Sequence, residues 1–99
     1  MTLTRDEVLE LLARNRERIR SFGVRSLALF GSAVHNEATE AGDLDFLVEF
    51  DRKTFDNYMD VKFFLEELLG RPVDLVLRDA VQPRLREKIL SEAVHAAGL

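Results

Sequence analysis

The chain has 99 residues, 46% of them hydrophobic and 32% charged, with a formal net charge of -4. That size and apolar content fit one domain with one core, and the slightly acidic balance excludes the broad cationic face that nucleic-acid backbones attract. Cysteine is absent, which excludes disulfides, thiolate catalysis and cysteine-based zinc sites.

Met1-Thr2-Leu3-Thr4-Arg5-Asp6-Glu7 acquires charge at once, unlike a signal peptide, and nowhere do about 18 apolar residues run together as a membrane span requires. A soluble cytoplasmic protein without a membrane partner is expected, its single domain covering 1–99.

Thr4 followed by Glu7 is a capping-box pattern, and Val8, Leu11, Leu12 and Ile19 recur near helical spacing. This predicts a first helix from about residue 5 to residue 21, closed by Phe22-Gly23. Ser26-Leu27-Ala28-Leu29-Phe30 is a short apolar run stopped by Gly31-Ser32, the pattern of a buried strand leaving into a turn. Residues 33–42 are small or polar, a turn or one helical turn followed by a loop.

Leu44 to Phe50 is apolar except for Asp45 and Glu49 and predicts a second strand. Phe55, Met59, Phe63 and Leu68, with Tyr58, Phe64, Leu65 and Leu69 beside them, form an apolar stripe at helical period that ends at Gly70 and Pro72. Phe63, Phe64, Leu65 and Leu68 are read as core. Val73 to Leu77 is a third strand, and Pro83 opens a last helix through Leu85, Ile89, Leu90 and Val94. The order implies an α/β (α+β) fold, a small mixed sheet backed by helices.

The chemistry concentrates in Gly31-Ser32, ten intervening residues, then Asp43-Leu44-Asp45. A glycine at a strand end lets a phosphate approach the backbone, and the turn after it offers amides and the Ser32 hydroxyl as donors. Aspartates two apart on a strand project from one face, so Asp43 and Asp45 can share a hard cation such as Mg²⁺. Asp74 stands at the start of another apolar strand, where a carboxylate is costly unless a metal, a cation or water meets it. Three carboxylates around two cations roughly 3.5–4 Å apart can stabilise both the attacking and the leaving oxygen of an in-line displacement.

Phe30-Gly31-Ser32, then Asp43-Leu44-Asp45-Phe46-Leu47-Val48, with Pro72-Val73-Asp74-Leu75-Val76 downstream, resembles the minimal nucleotidyltransferases of the DNA polymerase beta superfamily. The likeness spans Leu27 to Val94. It implies transfer of a nucleoside monophosphate, AMP from ATP by preference, to an acceptor hydroxyl. It also implies two Mg²⁺ ions held by Asp43 and Asp45, with Asp74 completing the catalytic metal site and activating the acceptor. Gly31 and Ser32 would hold the triphosphate tail.

Members of this size are often antitoxins beside a HEPN-domain ribonuclease toxin, and the resemblance implies adenylylation of a tyrosine on such a partner. Two departures stand out. Ala33-Val34-His35-Asn36 occupies the place where many relatives have Arg-Ala-Arg-Gly, and Gly42 precedes the first aspartate where Ser is usual. His35 is a candidate phosphate contact in place of an arginine, although a neutral imidazole lacks the guanidinium's fixed charge and fork of donors.

Two other readings follow from the same residues. A catalytically weakened antitoxin would neutralise its partner by surface contact alone. Arg14, Arg16, Arg18, Arg20 and Arg25 form one basic cluster, a solvated face or a patch for an acidic partner; as a nucleic-acid site it fits poorly with the acidic balance. His95, near the C-terminus, reads as a solvated end residue.

Overall fold

A computed structural model describes residues 3–31, 34 and 43–99. The first helix begins where the capping pattern places it. The Thr4 hydroxyl accepts from the Glu7 N–H at 3.2 Å, and the Glu7 carboxylate accepts from the Thr4 N–H at 3.3 Å. These reciprocal bonds satisfy two main-chain donors that an open helix end would leave unmade.

The expected helix over 5–21 is two helices, α1 (Arg5–Arg14) and α2 (Arg16–Ser21). Asn15 separates them. Its side-chain amide donates to the Leu11 carbonyl at 2.8 Å, the local side-chain to backbone bonding by which asparagine competes with a continuing helix. Gly23, at φ +88°, then turns the chain into β1 (Val24–Phe30), which starts two residues before the apolar run that predicted it. The early residues are hidden by exposed Arg25, which pairs with Asp51 at 2.9 Å beside an irregularity in the strand pairing.

β2 (Leu44–Phe50), α3 (Phe55–Leu69) and β3 (Val73–Leu77) occupy the expected stretches. Thr54 caps α3 by accepting from the Asn57 N–H at 3.0 Å, and Gly70 ends it in the left-handed conformation at φ +66°. A 3-10 turn (Arg78–Ala80) leads to α4 (Pro83–Glu92), opened by proline as expected. This last helix does not run through Val94. Ala93 is extended, and Val94–His95 forms a short strand, β4, antiparallel to Ala28 and Leu29 of β1. Val94 sits at helical spacing from Leu90, but the open edge of β1 offers it main-chain partners and overrides the local period. His95 is exposed, as expected, although it belongs to the sheet.

The sheet has the order β3-β2-β1-β4, with β1 antiparallel to both neighbours and β2 parallel to β3. The mixed architecture expected from the element order is therefore present. Leu27, Leu29, Leu44, Phe46, Val48, Val73 and Leu75 join Val8, Leu12, Ile19, Val61, Leu65 and Leu69 of the helices in one buried cluster. Ala28 and Leu47 are also buried but lie outside that cluster. They mark the opposite face of the sheet, to which alternation assigns Asp45.

One core assignment is corrected. Leu65 is fully buried and Phe64 and Leu68 pack partly against the core, but Phe63 is 58% exposed and Phe55 76%. Along α3 the buried line is Val61, Leu65 and Leu69. Phe63 is two residues, about 200° of helical rotation, from either of the first two.

Candidate functional site

The sheet topology brings separate stretches of chain to one end of the molecule. Antiparallel pairing places Phe30, the last residue of β1, opposite Asp45, and parallel pairing places Asp45 opposite Asp74. Side chains of paired residues project from the same face. Gly31 therefore emerges beside Asp45 of the neighbouring strand, with Asp74 one strand further on, while Asp43 precedes β2 by one residue. Ser32 and His35, together with the loop reading over 33–42 apart from Val34, lie outside the described residues.

Within this edge Asp43 and Asp74 are exposed and Asp45 is half-buried. Its neighbours Leu44 and Phe46 are fully buried, so the chain holds Asp45 firmly while turning its side chain away from the main core. Burial pushes the Asp45 carboxyl above its ordinary value of 3.8, and the charges of Asp74 and then Asp43 push it further in the same direction. Asp45 thus feels the charges of both other predicted carboxylates.

Gly31 is required here for two reasons. Its φ of +80° lies in the left-handed region, and a Cβ at this position would stand 2.5 Å from Asp45 Oδ2. The backbone of the bend and the aspartate are packed to a distance only hydrogen permits.

Among the described residues no three His, Cys, Asp or Glu side chains are already drawn together as a closed cation cage. The trio is an open edge. Its donor set nevertheless fits a hard divalent cation, since Mg²⁺ is usually bound through one or two carboxylates, with phosphate oxygens and water completing its shell. A cation would also relieve the repulsion that raises Asp45.

Tyr58, which the sequence pattern placed in the apolar stripe of α3, and two side chains it did not single out, Lys62 and Glu66, lie along the edge of β3 away from β2. All three bond to the main chain of β3. They recur every four residues and so share one side of the helix, but nothing in the sequence names β3 as their target. An apolar cavity of about 330 Å³ lined by Lys53, Thr54, Phe55, Tyr58 and Leu77 lies toward the other end of β3 and shares no residue with the carboxylate edge.

The basic cluster is engaged within the molecule. Arg14 pairs with Glu10 at 2.8 Å, Arg20 donates to the Gly98 carbonyl, and Arg18 lies over the rings of Phe22 and Phe64 at 5.6 and 5.7 Å from their centres. Among the described residues no helix is long and apolar enough to cross a membrane.

A glycine-ended strand with aspartates on two further strands of a small mixed sheet flanked by helices is the architecture of a nucleotidyltransferase. The chain belongs to the nucleotidyltransferase domain family, which it matches over residues 9–95, and it is a minimal nucleotidyltransferase of the protein adenylyltransferase-like kind.

It is 35% identical over 95 residues to the protein adenylyltransferase MntA of Thermococcus cleftensis, covering 94% of this chain and 96% of that protein. A solved structure provisionally described as a minimal nucleotidyltransferase is 41% identical, with a TM-score of 0.73 over 87% of this chain and 93% of that one. Similar in fold alone is a chain from the complex of tri-AMPylated Shewanella oneidensis HEPN toxin with MNT antitoxin. It is 18% identical, with a TM-score of 0.63 over 92% of this chain and 73% of that one.

Proposed function

We propose that this protein transfers AMP from ATP to a tyrosine hydroxyl of a partner HEPN-type toxin in the cytoplasm, using two Mg²⁺ ions, and so acts as an antitoxin. The observation that carries the reading is the register of Asp45 with Asp74 beside the Gly31 bend. Further support comes from the similarity to a protein adenylyltransferase and from the fold shared with a toxin-antitoxin complex whose toxin is AMPylated.

In this reading Asp43 and Asp45 hold the cations and Asp74 completes the site on the acceptor side. Gly31 clears space for the triphosphate tail, with Ser32 and His35 as its side-chain donors. The acceptor oxygen forms a bond to the α-phosphorus, the bond from that phosphorus to the bridging oxygen breaks, pyrophosphate leaves, and the hydroxyl proton passes to solvent. Bound Mg²⁺ supplies neutralisation of the charge that develops on the attacking and leaving oxygens. Asp74, exposed on the edge strand β3, is the carboxylate this reading assigns to the acceptor side.

The test is transfer of label from α-labelled ATP to a small all-helical protein encoded beside this chain, with Mg²⁺ present. Asp43→Asn/Asp45→Asn is expected to abolish labelling while the fold persists. Full neutralisation of the toxin by that double variant would instead assign the protein to masking by contact.

A further inference from the structure

β3 is an edge strand, and an edge strand exposes a row of main-chain donors and acceptors to water or to other chains. Pro72 O accepts from Leu44 N–H at 3.0 Å across the parallel pairing. Even-numbered residues of β3 therefore turn their polar groups toward β2 and odd-numbered ones turn theirs outward.

Three of those outward groups are taken by one stripe of α3. The Val73 N–H donates to Glu66 Oε2 at 3.0 Å, Lys62 Nζ donates to the Val73 carbonyl at 2.9 Å, and the Tyr58 hydroxyl donates to the Leu75 carbonyl at 2.6 Å. Two of the three side chains grip the same residue. Val73 is the first residue of the strand, where pairing is most easily lost, and the next residue is Asp74.

We propose that Lys62 and Glu66 are positioning residues for nucleotidyl transfer: by holding both main-chain polar groups of Val73 they keep Asp74 in register with Asp45. This rests on the reading of Asp74 as part of the cation site. Protection of a free edge alone would require no such concentration. The Tyr58 bond already occupies the middle of the strand, whereas the Lys62 and Glu66 bonds both fall at its start, beside the carboxylate.

The purified full chain, with AMP-PNP present, is titrated with Mn²⁺ by calorimetry, and amide exchange is followed along β3. Glu66→Ala and Lys62→Met are expected to weaken Mn²⁺ about tenfold, the usual effect of removing a group that orients a metal ligand, and to speed exchange at Asp74. Glu66→Gln keeps an oxygen acceptor for the Val73 N–H and stays within about twofold of the parent.

Lys62→Met retains the aliphatic stem and one of the two bonds, so it carries the test if Glu66→Ala does not fold. Parental Mn²⁺ affinity in the Glu66 and Lys62 variants, with affinity lost in Asp74→Asn, would reduce the pair to edge protection and overturn the proposal. Parental affinity in Asp74→Asn would overturn the cation-site reading itself, a different result from the first.

Discussion

Asp45 and Asp74 sit opposite each other on parallel strands, one half-buried and one exposed, with the Gly31 backbone against the first. Like charges held in this way oppose folding unless something positive comes between them. Burial together with Asp74 and Asp43 keeps the Asp45 carboxyl above its ordinary value, so without a cation the folded protein binds that proton more tightly than the unfolded chain does.

Asp45→Asn should therefore stabilise the cation-free protein at neutral pH, since the amide keeps the shape and removes the charge. The expected rise in Tm is a few degrees, readable by calorimetry. With Mg²⁺ and AMP-PNP added, the parent should gain Tm as ligand binding pulls the equilibrium toward the folded state, and Asp45→Asn should gain little. A drop in Tm on substitution in the absence of cation would show that the Asp45 charge supports the fold.

The same linkage fixes a pH dependence. Because the folded-state value is raised, the cation-free protein should lose stability as pH rises from the ordinary carboxylate value through the raised one. Cation binding runs the other way, since a carboxylate must give up its proton to coordinate. The Mg²⁺-induced gain in Tm should grow as pH is raised from about 4 to about 7. A gain that is flat across that interval would remove carboxylate ionisation from the binding step.

Gly31→Ala should damage both fold and activity. An alanine at φ +80° costs about 1–2 kcal/mol in backbone strain, and its Cβ would meet Asp45 Oδ2 at 2.5 Å. Relief requires Asp45 to turn away, which removes it from the shared edge. Denaturant unfolding should show the stability loss, and AMP transfer should fall by about a hundredfold, as expected when a reacting group is misplaced by about 1 Å. Wild-type transfer in this variant would mean that the bend and Asp45 do not share a ligand.

Much of this arrangement was legible in the chain itself. The apolar runs Leu44 to Phe50 and Val73 to Leu77 mark two strands, with Asp43 just before the first and Asp45 and Asp74 as the second residue of each, and the structure has strands over those stretches. Less legible was anything decided by partners distant in sequence. Val94 follows the helical period, yet the edge of β1 draws it into a strand. Asn15 looks like an ordinary polar position until its amide takes the Leu11 carbonyl and ends α1. The grip of Lys62 and Glu66 on Val73 depends on where α3 lies across β3, which periodicity alone does not specify.

Phe63 tests a different assumption, that a large apolar residue at roughly helical spacing belongs to the core. It is 58% exposed, whereas Leu65, two positions on, is 0% exposed and packed with Val61 and Leu69 in the central cluster. Truncating Leu65 to alanine should cost about 2–5 kcal/mol through lost transfer energy and the cavity left behind. Phe63→Gln removes a side chain that already meets water, so its effect should stay within about 0.5 kcal/mol. Urea unfolding of the two variants decides the matter: comparable losses would place Phe63 in the folded core, while a loss confined to Leu65→Ala confirms that the α3 face bearing Phe63 contributes little to stability.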